Sequence, residues 1–302
     1  MTILVTGGSG FIGSHVLEVL QERGHKTTNV DRRAPRSDRG RFIMGDIRKV
    51  AAEAVRDVEA VIHCAAHADI SENWKDVDQR FRLWEDNCQA TFELFEAIPE
   101  HTAVLFVSSA CVYGSGGPHD EYAMTRATSP YAATKLAGEA LLQAYALKRG
   151  WRPIIVRPVS CVGARYKHGH IADFVRMAQE CGEIYPLDNG LHGKSFVHVR
   201  DVAERIVTLV ESPTACGAHN LADARGVWGW PDTVGVMGAM TSPLKVKAPS
   251  HVESGWIGDP IALTVKSIIP WTPKRTVMDG VRETLDSLGW GRKKNKWRRS
   301  AT

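Results

Sequence analysis

The stretch Thr6-Gly7-Gly8-Ser9-Gly10-Phe11-Ile12-Gly13 decides the fold of this chain. It follows Ile3-Leu4-Val5, an apolar, β-branched run that is typical of a buried strand, and it leads into residues 15–23, whose spaced apolar side chains favour a packed helix. Strand, glycine turn and helix therefore stand in the order of a dinucleotide-binding unit. In the pattern Gly8-x-Gly10-x-x-Gly13, the first glycine permits the tight turn, the second admits a pyrophosphate, and the third lets helix and strand pack closely.

A carboxylate follows the second predicted strand, residues 26–30. Asp31 ends that strand roughly 20 residues beyond the glycines, where a carboxylate can accept hydrogen bonds from the ribose hydroxyls of NAD. The adjacent Arg32 and Arg33 can accommodate the 2′-phosphate of NADP, which stays open as the alternative cofactor. A glycine turn that only tightens the strand-helix junction is the alternative without a ligand, and it leaves the spacing of Asp31 unexplained.

Length and composition indicate a globular α/β protein. A chain of 302 residues exceeds the usual size of a single core, so we expect one large domain with a smaller appendage. The chain begins with a core strand, and no run approaches the roughly 20 apolar residues of a membrane span, so we expect a cytoplasmic protein without a membrane partner. Six cysteines are scattered without C-x-x-C spacing, which favours reduced thiols over disulfides or a metal site.

The net charge of +4 comes from the C-terminal end of the chain. Residues 291–302 contain six basic residues and no acid, so the rest of the chain is net negative. Such a run can bind nucleic acid, but a solvated, flexible tail is the commoner outcome. We therefore expect no nucleic-acid partner.

Strands alternate with helical segments over the first half of the chain, without internal repeats. Further strands are predicted at 41–44, 59–64, 102–108 and 153–156, and the long helices at 77–98, with Asn87 in its middle, and at 129–149. This alternation predicts an α/β fold, a doubly wound parallel sheet of the Rossmann type with helices on both faces. Asp31, His63, Ser109 and Arg157 follow strands, so we expect them at the one edge where such sheets bind ligands.

The regular alternation loosens after residue 160. Residues 1–160 are predicted as the dinucleotide-binding domain, to which 195–212 returns. Residues 161–194 and 213–290 are predicted as a smaller, partly discontinuous substrate lobe that closes over the cofactor cleft, and 291–302 as the basic tail. Within this half, helices are expected near 171–181, 201–211 and 277–288, and short strands near 195–199 and 218–221.

Tyr131 and Lys135 carry the chemistry that the sequence suggests. They lie four residues apart, on one face of the predicted helix 129–149. A tyrosine is a poor base near neutral pH because its ordinary pKa is about 10. A lysine ammonium nearby, together with the positive nicotinamide of an oxidised cofactor, would lower that pKa, and Ser109 could hold the substrate hydroxyl whose proton Tyr131 removes. The alternative is an unreactive Tyr and Lys on a solvated helix face.

Together these pieces resemble the extended short-chain dehydrogenase/reductase family, specifically its NAD-dependent nucleotide-sugar epimerase/dehydratase group. The matching pieces are Thr6 to Gly13, Asp31, Gly45-Asp46-Ile47, His63-Cys64-Ala65-Ala66, Asn87, Ser108 to Gly114, Ser129 to Lys135, Val156-Arg157-Pro158, and Phe196 to Val202. They occur in the order of the family and span about two thirds of the chain.

The resemblance implies roles for individual residues. It places Ser109, Tyr131 and Lys135 at the catalytic positions. It places Gly7, Gly10, Phe11, Ile12, Gly13, Asp31, Asp46, Ile47, Ala65, Ala66, Asn87, Ser108, Tyr131 and Lys135 at the NAD site, with Asp46 and Ile47 flanking the adenine and Ser108 beside the nicotinamide. The two long helices resemble those of a four-helix dimer interface, which implies a homodimer. Packing of these helices within a monomer is the alternative.

Departures from the family pattern restrict the function. Sugar 4,6-dehydratases carry Thr-Asp-Glu where this chain has Ser109-Ala110-Cys111, so the carboxylates for water elimination are missing and dehydration is disfavoured. Many epimerases carry Arg-Asp before the Phe-Val-His-Val run, with the arginine on the substrate diphosphate, but this chain has Lys194-Ser195. Lysine can meet a phosphate only as a point charge. Arg165 is the second candidate for the diphosphate, and His168 and His170 are favoured as loop residues.

We therefore expect an NAD-dependent epimerase of a nucleoside-diphosphate sugar, acting at C4 through a transient 4-keto intermediate. A reductase or dehydrogenase of a keto-sugar nucleotide, with net consumption of NAD(P)H, is the close alternative. A non-catalytic scaffold of the same fold that binds RNA through its basic tail is the alternative from another class, and the complete Ser109, Tyr131 and Lys135 set argues against it.

Overall fold

A computed structural model describes residues 1–37, 39–68, 76–167, 169–181, 183–184, 193–223, 227–229, 245–246 and 270–290. The strands are β1 (Thr2–Thr6), β2 (Lys26–Asp31), β3 (Arg41–Met44), β4 (Ala60–His63), β5 (Ala103–Val107), β6 (Arg152–Pro158), β7 (Ser160–Val162), β8 (Glu183–Ile184), β9 (Gly193–His198), β10 (Gly217–Leu221), β11 (Val227–Gly229) and β12 (Lys245–Val246). The helices are α1 (Phe11–Glu22), α2 (Ile47–Ala54), α3 (Val77–Trp84), α4 (Ala90–Ala97), α5 (Pro130–Arg149), α6 (His170–Cys181), α7 (Val199–Glu211) and α8 (Val277–Ser287).

Seven strands form the central sheet in the order β10-β6-β5-β4-β1-β2-β3, and every neighbouring pair is parallel. The doubly wound α/β fold predicted from the sequence is therefore confirmed. The chain builds the sheet outward from β1 through β2 and β3, then crosses over to β4 and builds the other side. This reversal makes the crevice beyond the carboxyl ends of β1 and β4 the ligand site expected of the fold.

Helices cover both faces of the sheet, as the near-continuous apolar strands require. On one face, Val16 of α1 and Ile206 of α7 pack on the sheet in one buried cluster. On the other face, Leu94 of α4 and Leu142 of α5 belong to a second cluster. Among the helices described, none is long and apolar enough to span a membrane.

Side-chain caps begin most of these helices. Asp46, Asp76, Ser129, His198 and Thr276 each accept a backbone N–H at the start of α2, α3, α5, α7 and α8. Such a cap satisfies one of the N–H groups that the first turn of a helix leaves without a partner. Helix α1 differs, because Gly10 precedes it without a side-chain cap and its first turn contains no acidic residue.

The predicted helix 77–98 is observed as three consecutive segments. A five-residue π-helical turn, Glu85–Gln89, separates α3 from α4 and contains Asn87. Turns of this kind occur frequently at functional sites. The periodicity of the sequence alone does not distinguish such a turn from a continuous α-helix.

The second half of the chain divides differently from the predicted boundaries. Strand β10, predicted within the substrate lobe, pairs with β6 in the central sheet, because α7 carries the chain across the sheet face to its edge. Strand β9, predicted to return to the dinucleotide-binding domain, instead pairs with β7 and β11 in a small separate sheet. Helices α6 and α8 pack together around Phe174, Phe196 and Val281.

Candidate active site

The glycine turn after β1 lies against the end of β4. Gly7, rather than Gly8, adopts the left-handed conformation of the tight turn, with φ of 71°. A Cβ on Gly7 would lie 2.6 Å from the Ala65 backbone, and one on Gly13 would lie 2.3 Å from the Gly7 carbonyl oxygen. The role that the sequence pattern assigned to Gly8 therefore belongs to Gly7, whereas Gly8 is required because Asn29 and Leu17 leave no room for a side chain.

The start of α1 fits the pyrophosphate of a dinucleotide. The atom nearest to a Cβ added at Gly10 is the Gly7 oxygen, at 3.0 Å. Gly10 is therefore the least crowded of the four glycines of the turn, Gly7, Gly8, Gly10 and Gly13. The N–H groups of Phe11 and Ile12 open a helix that has no side-chain cap. An anion there would accept these hydrogen bonds and complement the helix dipole.

Asp31 is fixed at the end of β2 by one backbone N–H that follows β1 and one that follows β2. Its Oδ2 accepts the Ser9 N–H at 3.0 Å, and its Oδ1 accepts the Arg33 N–H at 2.9 Å. The next strand end holds Asp46, which caps α2 and accepts hydrogen bonds from the Arg48 guanidinium at 3.0 and 2.6 Å. This guanidinium lowers the pKa of Asp46, so the carboxylate is ionised at neutral pH.

His63 points into the core instead of toward a ligand. Its Nδ1 lies 2.6 Å from Thr6 Oγ1, its Nε2 lies 2.9 Å from Thr91 Oγ1, and burial lowers its pKa to about 3. The neutral imidazole thus joins the end of β1 to α4. Thr6 Oγ1 also accepts the Ala65 N–H at 3.3 Å, which fixes the segment where Ala65 is half-buried and Ala66 exposed.

Asn87 attaches the π-helical turn to this same segment. Its Oδ1 accepts the His67 N–H at 2.7 Å, and its Nδ2 donates to the His67 carbonyl and to Thr134 Oγ1, both at 3.0 Å. All three bonds lie inside the protein, so Asn87 holds the loop after β4 against α5. Its predicted direct contact with the cofactor stays a prediction.

Tyr131 and Lys135 lie together in the first turns of α5, beside the end of β5. Tyr131 is 9% exposed and Lys135 3%. Lys135 Nζ donates to the Val107 carbonyl at 2.9 Å and lies 5.9 Å from the centre of the Tyr131 ring. The sequence predicted this pair on one helix face, and the structure places that face against the sheet instead of in solvent.

Burial shifts the pKa values of the two groups in opposite directions. It lowers the pKa of Lys135 to about 8, and it raises the pKa of Tyr131 above its ordinary value. Both shifts favour the neutral form, because a charge is costly in a dry site. Burial thus opposes the phenolate in the protein without ligands, and the sequence argument relies on the positive nicotinamide together with the lysine.

Ser109 stands at the end of β5 and begins a short 3₁₀ turn, Ala110–Tyr113. Its Oγ accepts the Cys111 N–H at 3.3 Å, and within the described part of the chain its hydroxyl proton stays available for donation. Ser109 and Cys111 are half-buried, and Ala110 is buried.

A buried ion pair next to Ser108, with its acid on the same helix as Tyr131 and Lys135, was not predicted from the sequence. Glu139 accepts two hydrogen bonds from the Arg157 guanidinium, at 3.0 and 2.6 Å, and one from Ser108 Oγ at 2.5 Å. The signal for Glu139 was its spacing, since Tyr131, Lys135 and Glu139 follow one another at intervals of four on α5. The pair fixes Ser108 and holds the Arg157 guanidinium inside the protein.

The structure describes only some of the residues predicted to bind substrate. The Arg165 guanidinium forms an ion pair with Glu18 and donates to Ser14 Oγ at 3.1 Å, so it is engaged with α1. Lys194 belongs to β9, but its side chain lies outside the described residues, as do His168, the side chain of His170 and the basic tail 291–302.

Comparison with known proteins agrees with this geometry. The family described as "NAD dependent epimerase/dehydratase family" matches residues 3–221. The UDP-glucose 4-epimerase of Corynebacterium glutamicum is 28% identical, over 96% of this chain and 97% of that one. The UDP-N-acetyl-alpha-D-glucosaminuronate decarboxylase of Bacillus cytotoxicus is 30% identical, over 69% of this chain and 70% of its own length.

Solved structures share the fold along nearly the whole chain. A crystal structure of UDP-galactose 4-epimerase has a TM-score of 0.79 and 26% identity, covering 96% of this chain and 99% of its own. MoeE5 in complex with UDP-glucuronic acid and NAD has a TM-score of 0.82 and 24% identity, covering 97% and 99%. The family match, together with the glycine turn, Asp31 and the buried Tyr131 and Lys135, confirms the resemblance and the NAD cofactor: the chain belongs to the NAD dependent epimerase/dehydratase family.

Proposed function

We propose that this protein is an NAD-dependent epimerase of a nucleoside-diphosphate sugar and that it inverts C4 through a transient 4-keto sugar. One observation carries the proposal: the buried Tyr131 and Lys135 lie beside a strand end whose next residues, Ser109-Ala110-Cys111, provide no carboxylate. Such a site can move a hydroxyl proton, and positions 109–111 offer no carboxylate as the acid or base of water elimination.

The residues of this chain divide the work of oxidising a secondary alcohol. Ser109 holds the 4-hydroxyl of the sugar with its free proton, and Tyr131 accepts the proton of that hydroxyl. The bound NAD supplies the acceptor, and later the donor, of the hydrogen at C4. The 4-keto sugar then turns over in the site, and Tyr131 returns the proton when C4 is reduced from its other face.

Lys135 supports the phenolate that this cycle requires. Burial raises the pKa of Tyr131, so the phenol is protonated in the protein without ligands. Lys135, held by the Val107 carbonyl, carries positive charge below its pKa of about 8, and the oxidised nicotinamide adds a second positive charge. Together the two charges favour proton transfer only when the cofactor is oxidised.

We propose a UDP-sugar as the substrate, because the relatives named above act on UDP-sugars. Lys194 and Arg165 stay our candidates for the diphosphate. Arg165 can reach it only by leaving Glu18, since the two now form an ion pair. The lobe of residues 161–194 and 213–290, apart from β10, is proposed to close over the sugar and retain the keto intermediate.

A reductase of a keto-sugar nucleotide is the second candidate. It is favoured by Lys194-Ser195, which replaces the Arg-Asp of many epimerases. The two functions differ in cofactor use, because a reductase consumes one reduced cofactor for each sugar, whereas an epimerase consumes none.

A panel incubation tests the function. The protein as purified is mixed with UDP-glucose, UDP-galactose, UDP-glucuronic acid and UDP-N-acetylglucosamine, without added cofactor, and C4 inversion is followed by NMR. We expect inversion of at least one sugar. No inversion, combined with NADH- or NADPH-dependent reduction of a 4-keto sugar nucleotide, would reject the epimerase.

We also propose a homodimer formed through α3, α4 and α5. Val77, Phe81 and Trp84 lie at helical spacing on α3 and are exposed, as are Phe92 on α4 and Leu147 on α5. Exposed apolar side chains on adjacent helices mark an interaction surface, and a second copy buries them by symmetry.

Replacing Trp84 by glutamate should yield a folded monomer in sedimentation velocity, and the same change at the exposed loop residue Tyr122 should leave the dimer intact. If the unmodified protein sediments as a monomer, the proposed dimer is wrong. The cytoplasmic location stays a prediction.

A further inference from the structure

An arginine next to the ribose-binding carboxylate is tied to the π-helical turn. Arg32 directly follows Asp31, and both terminal nitrogens of its guanidinium donate to Asp86, each at 3.0 Å. Asp86 belongs to the turn Glu85–Gln89, which also contains Asn87. The bond joins the loop after β2 to the helix that packs against α5.

Asp86 is the centre of a small charged cluster. Besides Arg32, its carboxylate faces His67 Nδ1 at 3.4 Å and Arg48 Nη2 at 3.9 Å, and its side chain is only 16% exposed. Arg48 is engaged chiefly with Asp46, at 2.6 Å. Arg32 also lies 4.0 Å from Asp46. The hydrogen bonds that Arg32 donates to Asp86 raise the pKa of Arg32, so its guanidinium stays charged.

This geometry bears on the choice between two dinucleotides. In this fold an arginine after β2 accommodates the 2′-phosphate of NADP, and Arg32 and Arg33 are the two candidates. A fork-shaped guanidinium binds a phosphate with the same terminal N–H groups that here hold the Asp86 carboxylate. Arg33 is 74% exposed, and its Nε lies 3.7 Å from Asp31, whose charge repels a phosphate.

We propose that Asp86 is a specificity-determining residue, which excludes NADP by holding the Arg32 guanidinium away from a 2′-phosphate. Asp31 favours the free ribose hydroxyls of NAD and repels a 2′-phosphate. The Arg32 guanidinium could offset this repulsion, but Asp86 holds it away from the phosphate. The proposal rests on the cofactor site of the proposed function and concerns no step of sugar chemistry.

A cofactor competition tests the proposal on the full-length protein as purified. The protein is dialysed to equilibrium against equal concentrations of NAD and NADP, and the bound ratio is measured after denaturation. In Asp86→Asn the freed guanidinium should raise the bound NADP to NAD ratio about tenfold, as expected for one hydrogen bond to a charged group. If Asp86 has only a structural role, its replacement should weaken the binding of NAD and NADP alike and leave the bound ratio unchanged. That result would overturn the proposal.

Two further variants identify the arginine. In Asp86→Asn combined with Arg32→Ala, the gain in NADP should disappear. Arg32→Ala alone should leave the ratio unchanged, because the Arg32 guanidinium already donates its hydrogen bonds to Asp86. A fall in bound NADP in this variant would contradict the proposal, and this test remains valid even if Asp86→Asn does not fold. Asp78→Asn, an exposed carboxylate on the same helical stretch, is the matched control and should change nothing.

The binding ratio is independent of turnover. An unchanged ratio beside normal C4 inversion would overturn only the role of Asp86. A shifted ratio in a protein that inverts no sugar would support the role of Asp86 and reject the epimerase.

Discussion

The two ends of the cofactor cleft use charge in opposite ways. At the proposed adenosine end, Asp46, Asp86, Arg32 and Arg48 are partly exposed and form ion pairs with one another. At the catalytic end, Tyr131 and Lys135 are buried, and burial pushes both toward their neutral forms. The proposed adenosine end is thus held by ion pairs within the protein, whereas we expect the cofactor to complete the proposed catalytic end electrostatically.

The starts of helices α1 and α5 show the reverse contrast. Helix α5 begins at the Ser129 cap, which fixes the turn that carries Tyr131. Helix α1 begins at Gly10 without a cap. The first turn of α5 is therefore satisfied by its own side-chain cap, whereas the first N–H groups of α1 remain available to a ligand. Mutations at the catalytic end should change turnover, and those at the adenosine end should change binding.

The largest effect is expected from removing the proton carrier. Tyr131→Phe should lower kcat by about 10²- to 10⁴-fold, as expected for loss of a general acid/base. The fold and NAD binding should be retained, since only a hydroxyl is lost. Tyr145→Phe, on the same helix but bonded to Glu96, is the control and should be nearly as active as the unmodified protein. Near-normal activity of Tyr131→Phe would reject the mechanism.

Removing the lysine should affect both turnover and cofactor binding. Lys135→Met should lower kcat about 10²-fold and also weaken NAD binding, because the ammonium supports the phenolate and is expected to contact the nicotinamide ribose. Steady-state kinetics and calorimetric titration with NAD measure the two effects. The exposed Lys148, changed to Met, serves as the control. Loss of turnover with unchanged NAD affinity would remove the ribose contact from the account.

The pKa of Lys135 predicts how stability depends on pH. Its value in the folded, ligand-free protein is about 8, against an ordinary 10.5, so the unfolded chain binds more protons between these values. The contribution of Lys135 to the free energy of unfolding should therefore rise with pH across that range. Below pH 8 the cost of burying the charge is present in full.

Denaturant unfolding of the cofactor-free protein and of Lys135→Met tests this sign. The free energy of unfolding of the unmodified protein, relative to the variant, should increase from about pH 8 to 10. Tyr131 titrates in both proteins, so its contribution to the difference largely cancels. A relative stability that is constant with pH would mean that Lys135 is not desolvated.

The smallest effect is expected at the basic tail. Truncation after Trp290 should leave kcat and KM within a few-fold, because residues 291–302 are distant in sequence from every catalytic position. Binding of RNA that weakens with salt and is lost on truncation would instead support the scaffold alternative.

The sequence predicted what local chemistry determines. The order of strands and helices, the pairing of Tyr131 and Lys135 on one face of α5 and the carboxylate after β2 follow from periodicity, spacing and residue type. Three features required tertiary structure: the turn glycine is Gly7 because β4 packs against it, His63 is turned into the core by Thr6 and Thr91, and Glu139 acquires its role from Arg157 on another strand. Strand β10 was misplaced because a short strand carries no signal for the sheet that it joins.

Isotope retention at C4 tests the central claim most directly. UDP-glucose and UDP-galactose carrying deuterium at C4 are incubated with the protein as purified, without added cofactor, and the products are examined by NMR and mass spectrometry. An epimerase returns the label to the carbon from which it was taken, so we predict inverted product that keeps its deuterium. Label appearing in free reduced cofactor, with loss of deuterium from the sugar and no inversion, would contradict the account.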